Sequence, residues 1–199
     1  MRNLSDRYDS AVAAIDAANA ADPTIVEVRG QPVALALVHG QLAAEWIEKL
    51  VDEPDETLTL AARAHHLRRW ELQRDTYPIG RAGYLRWRRD QKVRHATDVA
   101  AILAEYGYEP AEIDQVQRLI RRESVDGAQA VEDAACLVFI ETQLASIAER
   151  MDHDLLIDVI RKTARKMSDR GLGLVATIPL GEAEQALLKQ ALGGPASPD

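Results

Sequence analysis

The chain has 199 residues, an apolar fraction of 47%, a charged fraction of 28% and a formal net charge of −8. That length buries one core of ordinary size, and the acidic balance argues against a surface coated for non-specific nucleic-acid binding. No apolar run approaches the roughly 20 residues that cross a bilayer, and no basic segment leads into an apolar one at the N-terminus; both features predict a cytoplasmic protein without membrane contact.

In chain order, Ser5 to Ala20 reads as an amphipathic helix with Tyr8, Val12, Ile15 and Ala18 at helical spacing. "NAADPT" ends it, and Ile25, Val26 and Val28 then make a short strand or plain extended chain before Gly30 and Pro32. A second helix is predicted from about Val33 to Val51, with His39, Leu42, Trp46 and Leu50 on one face. Asp55 reads as the N-cap of a helix Glu56 to Glu71 that contains "AARAHHLRRW". Pro78, Gly80 and Gly83 interrupt the periodicity, and the intervening loop carries Tyr77, Tyr84 and Trp87. A helix from about Tyr84 to Tyr106 follows, with His95 near its middle and Gly107 at its end.

Pro110 opens the next helix, and Ala128 to Arg150 forms the most apolar one, which should be central. Cys136 lies within its "ACLVFI" run and reads as a buried, reduced thiol. Leu155 to Ser168 and Gly181 to Leu192 are the last two helices, separated by Gly171, Gly173 and a short "LVATIPL" segment. The expected architecture is an all-α compact bundle with at most one or two short strands. It forms a single domain over residues 1–192, followed by a disordered tail over 193–199.

Two groups of residues carry chemistry. His39, His65, His66 and His95 all fall on predicted helices, and separate helices of a bundle can converge imidazoles on one transition ion. Glu132, Asp133 and Glu141 are the carboxylates on the apolar helix; Asp133 and Glu141 lie about 80° apart around its axis. Each has a plainer reading: His39 as part of an apolar stripe, His95 as a satisfied helix residue, Asp133 as an ion-pair partner. Adjacent helical residues point about 100° apart, so His65 and His66 serve one ion together only at a helix end.

The second group is basic and aromatic. Arg68, Arg69, Arg74, Arg81, Arg86 and Arg88 surround the Tyr77-Pro78 loop and interleave with Trp70, Tyr84 and Trp87. Guanidinium groups bind phosphate through paired hydrogen bonds, and aromatic faces stack bases. Arg68, Arg69, Arg81 and Arg88 are the candidate phosphate contacts, and Trp70, Tyr84 and Trp87 the candidate stacking residues. The same residues could instead pin a long loop.

The histidine spacing resembles the helical HD superfamily of metal-dependent phosphohydrolases. His39 stands on the earlier helix, "AARAHH" matches the small-residue approach to the His-Asp pair, and "VEDAACLVFIE" matches the helix bearing the last carboxylate. The resemblance implies His39, His65 and Glu141 as ligands, with His66 and Glu141 standing where the superfamily has Asp. A closer resemblance is carried by "DAANAADP", "AARAHHLRRWELQRDTYPIGRAGYLRWR", "VEDAACLVFIE" and "IRKTARKMSDRG". These are similar to the signature segments of an uncharacterised family of bacteria and fungi, whose members sometimes carry names implying a glutamyl-tRNA synthetase. No nucleotide-binding α/β pattern or glycine-rich phosphate loop supports that activity here. This second resemblance implies His66, His95 and the Glu132-Asp133 pair as the shared site.

Together these readings lead to a metal-dependent hydrolase of a phosphorylated small molecule, such as a nucleotide. His66 and Asp133 are its catalytic candidates, and His39, His65, His66, His95, Asp133 and Glu141 its metal shell. The metal would be a divalent transition ion: Fe, Mn, Co or Zn. The alternatives are a non-catalytic module that binds a nucleotide or protein partner through residues 68–89, an iron oxygenase of the HD type, and a structural homodimer.

Overall fold

The computed structural model describes residues 6–123 and 125–193. Among these, nine α-helices and one two-stranded ribbon make the chain all-α with minor strands. Its contacts divide it into two compact units, residues 1–135 and 136–199.

In the first unit, α1 (Asp6–Asn19) buries Tyr8, Ala11, Ile15 and Asn19, a stripe at steps of three and four residues. The strand reading of Ile25 to Val28 holds: β1 (Ile25–Val28) pairs antiparallel with β2 (Gln31–Ala34). Arg29 and Gly30 join them at φ 53° and 76°, the two left-handed positions that a tight hairpin turn of this twist requires. Asp22 then ties the ribbon to α2 (Leu35–Leu50). Its Oδ1 accepts from the Thr24 N–H at 2.9 Å and its Oδ2 from the Ala36 N–H at 3.0 Å, so it caps α2 from outside the helix.

Asp55 caps α3 (Glu56–Arg63) as expected, accepting from the Leu58 N–H at 2.8 Å. Two short 3-10 turns, Arg69–Glu71 and Arg74–Thr76, lead to α4 (Arg81–Glu105). Gly107, at φ 75°, ends that helix before α5 (Pro110–Arg121), which opens with Pro110 and a Glu109–Glu112 capping box. Helix α1 packs on α2, α3 and α4, α2 packs on α3, and α5 packs on both α3 and α4. Helix α6 (Ala128–Ala148) begins in this unit with Val131, Asp133 and Ala134 buried.

The second unit continues α6 from Cys136, which is buried as expected. It then holds α7 (His153–Ala164), α8 (Asp169–Val175) and α9 (Glu182–Gly193). Helices α7 and α9 pack together, with Leu156, Ile157, Ile160, Leu188 and Ala191 buried. Arg161 Nε donates to the Ala191 carbonyl at 3.2 Å across that pair. No helix among the described residues is long and apolar enough to cross a membrane. Of the expected disordered tail, Gly193 is the last residue of α9, and residues 194–199 lie outside the described residues.

Several expected boundaries move; the helix expected from Leu155 to Ser168, for one, runs from His153 to Ala164. The helix predicted to run from Glu56 to Glu71 stops at Arg63, and Ala64 to Arg68 form turns. Helix α4 begins at Arg81, three residues before the predicted Tyr84, with Gly80 at φ 99° turning the chain into it. Gly171 and Gly173 do not break the chain but lie inside α8, because the Ser168 hydroxyl accepts from the Gly171 N–H and starts a helix there.

Candidate functional site

The early end of α3 places the paired histidines together. Because the chain leaves the helix at Ala64, His65 and His66 escape the 100° separation of helix neighbours. Their rings stack with centroids 4.0 Å apart and planes inclined by 32°. Arg68 makes the exit, in the left-handed region at φ 50°, and its N–H donates to the Asn19 Oδ1 at 3.1 Å. That backbone shape costs a non-glycine residue about 1 kcal/mol, and the bond to fully buried Asn19 offsets it.

Gly40 brings the third histidine in. A Cβ at that position would meet the Arg63 carbonyl oxygen well inside van der Waals contact, so only glycine lets α2 lie this close to the end of α3. Asp16 on α1 accepts from Arg63 Nε at 2.7 Å and braces the same helix end. As a result His39 Nδ1 stands 3.1 Å from His66 Nδ1, with ring centroids 5.3 Å apart. His95 comes from the middle of α4, its ring centroid 6.1 Å from that of His66. The four histidines singled out in the sequence thus form one cluster with His66 at its centre, and His39, His65 and His95 are all at most 5% exposed.

The hydrogen bonds assign the tautomers. His65 Nδ1 lies 2.7 Å from the Ala62 carbonyl, and His95 Nδ1 lies 2.7 Å from the Leu67 carbonyl. A carbonyl only accepts, so both Nδ1 atoms carry the proton and both Nε2 atoms present lone pairs. Each of those Nε2 atoms is buried without a hydrogen-bond partner. Leaving such an atom unsatisfied costs about 1–3 kcal/mol, so each is a candidate donor to a bound group. Between His39 and His66 one nitrogen must donate and the other accept, since two lone pairs at 3.1 Å would repel.

Electrostatics keep the cluster neutral. Burial lowers His39 to about 4, with the Arg69 charge adding to it and Asp22 opposing. Burial likewise lowers His95 to about 3, against the raising effect of the Leu67 carbonyl bond; the charges of Arg69, Arg94 and Arg122 push the same way as burial. His65 and His66 are also held well below the ordinary value, first by burial, then by Arg122 and by His65 respectively.

In metal-free protein this has a defined consequence for stability. Below about pH 6.5 the unfolded chain takes up protons that the native cluster refuses, so stability is full above that pH and falls as the pH drops. The fall continues until native His39 and His95 titrate, near 4 and near 3. One unit below 6.5, each contributes a loss of about 1.4 kcal/mol. Urea unfolding in the presence of chelator at pH 7.5, 6.5 and 5.5 measures this; equal stability at all three would contradict a buried neutral cluster.

The donor chemistry fits a borderline transition ion. Imidazole Nε2 atoms with Nδ1–H held by backbone carbonyls are the usual form of metal-ligating histidine. The arrangement itself stops short of a finished site, because no group of three or more His, Cys, Asp or Glu side chains among the described residues stands ready to hold a metal ion. Of the expected carboxylates, Asp133 is buried in the first unit, its Oδ1 accepting from Gln129 Nε2 at 2.8 Å. Glu132 pairs with Arg122 at 3.0 Å, and Glu141 belongs to the second unit.

Beside the cluster lies the arginine-aromatic segment. The Arg69 guanidinium stacks on the Trp87 ring at 4.6 Å, and that of Arg88 lies 5.8 Å from the centre of the Tyr84 ring. Trp87 Nε1 and Gln91 Nε2 both donate to the Leu72 carbonyl at 2.9 Å, and Gln91 Nε2 also reaches the Arg69 carbonyl at 2.9 Å. Arg74 pins the loop through the carbonyls of Tyr77, Pro78 and Gly80. Arg68 uses its backbone, Arg81 is exposed at the start of α4, and Trp70 is half-buried in the first 3-10 turn.

Sequence reasoning missed Asn19, Asp22, Gln91 and Arg122. Gln91 had a signal, one helical turn before His95; Asn19 acts across 49 residues and had none.

What these features define is a helical domain with a buried histidine cluster beside an arginine-aromatic face. The chain belongs to the family described as Domain of unknown function (DUF4202), whose family model matches residues 9–188. No curated protein and no solved structure gives a match.

Proposed function

We propose that the chain is a metal-dependent hydrolase acting on a small phosphorylated molecule. The observation that carries this reading is the pair of buried, unpartnered Nε2 lone pairs of His65 and His95 in a cluster centred on His66. His39, His65, His66 and His95 are the donors that would hold a divalent transition ion; an all-imidazole set suits Zn, Fe or Co better than Mg or Ca. When bound, such an ion supplies a water acidic enough to ionise near neutral pH.

The chain's own residues do the rest. Arg69 and Arg88 neutralise the phosphoryl oxygens and orient the ester. His66, at the centre of the cluster, and Asp133, the buried carboxylate, are the residues assigned to proton handling. Elemental analysis of protein purified without chelator, followed by a phosphatase panel with the ion found, tests the proposal. The expected result is near-stoichiometric metal and metal-dependent release of phosphate. Less than about a tenth of an equivalent, with no uptake on reconstitution, overturns it.

A second reading is a metal-free module that binds an anionic ligand through the arginine-aromatic face. Two observations favour it: no three-donor group stands ready among the described residues, and a hydrogen bond closes the space between His39 and His66. Thermal stabilisation by a phosphorylated ligand after chelator treatment, without turnover under any metal, selects it.

A further inference from the structure

We infer that the anion taken by the Arg69-Arg88 face carries two adjacent phosphoryl groups and is recognised without base stacking. This rests on the proposed phosphate role of these two arginines. Several basic side chains of the segment are already engaged: Arg63 by Asp16, Arg74 by three carbonyls, Arg89 by Asp90, and Arg94 by Glu71 and Asp98. Among the described residues, the guanidinium groups of Arg69 and Arg88 have aromatic contacts and no carboxylate partner.

They lie over neighbouring rings whose centroids are 6.0 Å apart, and the Arg88 charge opposes the Arg69 cation. Two neighbouring, part-buried cations without an anion are costly, and a ligand bearing two negative groups offsets both.

The stacking fixes what each guanidinium can offer. Arg69 is oriented by Trp87 and Arg88 by Tyr84, and the two rings stand 6.0 Å apart at 36°. They come from different elements, the 3-10 turn and α4, so their forks address two positions instead of one. A diphosphate gives each fork its own oxygens, whereas a single phosphate must be shared. One face of Trp87 and one face of Tyr84 carry the guanidinium groups themselves, so a base there would have to displace them, and the Trp87 N–H is committed to Leu72. The Arg69 N–H donates to the His66 carbonyl at 3.1 Å, which holds Arg69 beside the histidine cluster.

The test is calorimetric titration of the full chain, stripped of metal and dialysed free of chelator, with inorganic pyrophosphate, orthophosphate and adenosine. Pyrophosphate is expected to bind at least about tenfold more tightly than orthophosphate, and adenosine not at all. Arg69→Gln and Arg88→Gln should each weaken pyrophosphate binding at least about tenfold, a loss of about 1.4 kcal/mol, while exposed Arg86→Gln leaves it unchanged. Thermal melts confirm that each variant folds, and Arg69→Lys should recover part of the affinity.

Pyrophosphate binding no tighter than orthophosphate, indifference to Arg88→Gln, or binding of adenosine would each overturn the inference. Because no metal is present, these outcomes are separate from failure of the hydrolase reading, which is read by metal content and turnover.

Discussion

His66→Gln protein is expected to lose transition-metal affinity by at least about a hundredfold, while His153→Gln protein keeps it. His66 is the one histidine whose ring neighbours all three others, at centroid distances of 5.3, 4.0 and 6.1 Å. Even outer-shell partners of metal ligands typically change affinity by about 10–100-fold, so loss of the central donor should exceed that. His153 sits in the second unit with Nε2 3.0 Å from Gln190 Oε1, and is a control for loss of an imidazole as such.

Glutamine at position 66 keeps the polarity and much of the volume, so a folded variant is expected. A melt within a few degrees of the parent in chelator separates lost affinity from lost structure. If His66→Gln retains full metal, the cluster is not the binding site. The buried Nε2 atoms of His65 and His95 would then need another account, such as bound water.

The histidine cluster was partly legible in the sequence because it depends on helix order, and helix order follows from apolar periodicity and punctuation. His39 and His95 could be assigned to α2 and α4 by pattern alone. His65 and His66 could not be separated, since their spacing is consistent with a helix surface, where only one of them faces a given ion. The deciding feature is the end of α3. Leu67 and Trp70 continue the apolar pattern past Arg63, so local periodicity runs on to Glu71; the chain turns instead because Asn19, on α1, takes the Arg68 N–H. Tertiary contact overrides propensity at that point.

Helix α8 was lost for the opposite reason. Two glycines, each costing a helix about 1 kcal/mol, mark the segment as a break, whereas the Ser168 cap and the burial of Gly171 hold it helical in the finished unit. Residue types, by contrast, told little about the arginines. Which of them are engaged depends on acids and carbonyls brought from other turns, as with Arg94 and Glu71.

Gly40→Ala is expected to destabilise the protein by about 2 kcal/mol and to lower metal affinity in the same variant. Helix propensity alone predicts the reverse, because alanine favours a helix interior by about 1 kcal/mol over glycine. The contact decides the sign. A methyl at position 40 points into the Arg63 carbonyl, with that group's carbon at 3.4 Å and Asn19 Nδ2 at 3.6 Å, and neither helix end can yield without cost. Overpacking of this kind costs about 1–3 kcal/mol.

Arg63 is the last residue of α3, and its carbonyl immediately precedes the turn bearing His65 and His66. Relief of the clash by sliding α3 away from α2 therefore lengthens the 3.1 Å separation between His39 and His66. Gly173→Ala is the matching control: a Cβ there meets nothing within 4 Å, so propensity acts alone and the variant should gain about 0.5–1 kcal/mol. Urea unfolding of both variants with metal removed, beside metal titration of both, reads the two effects separately. A Gly40→Ala protein as stable as the parent would mean that α2 and α3 part easily. The histidine pair would then owe its geometry to something other than this close helix approach.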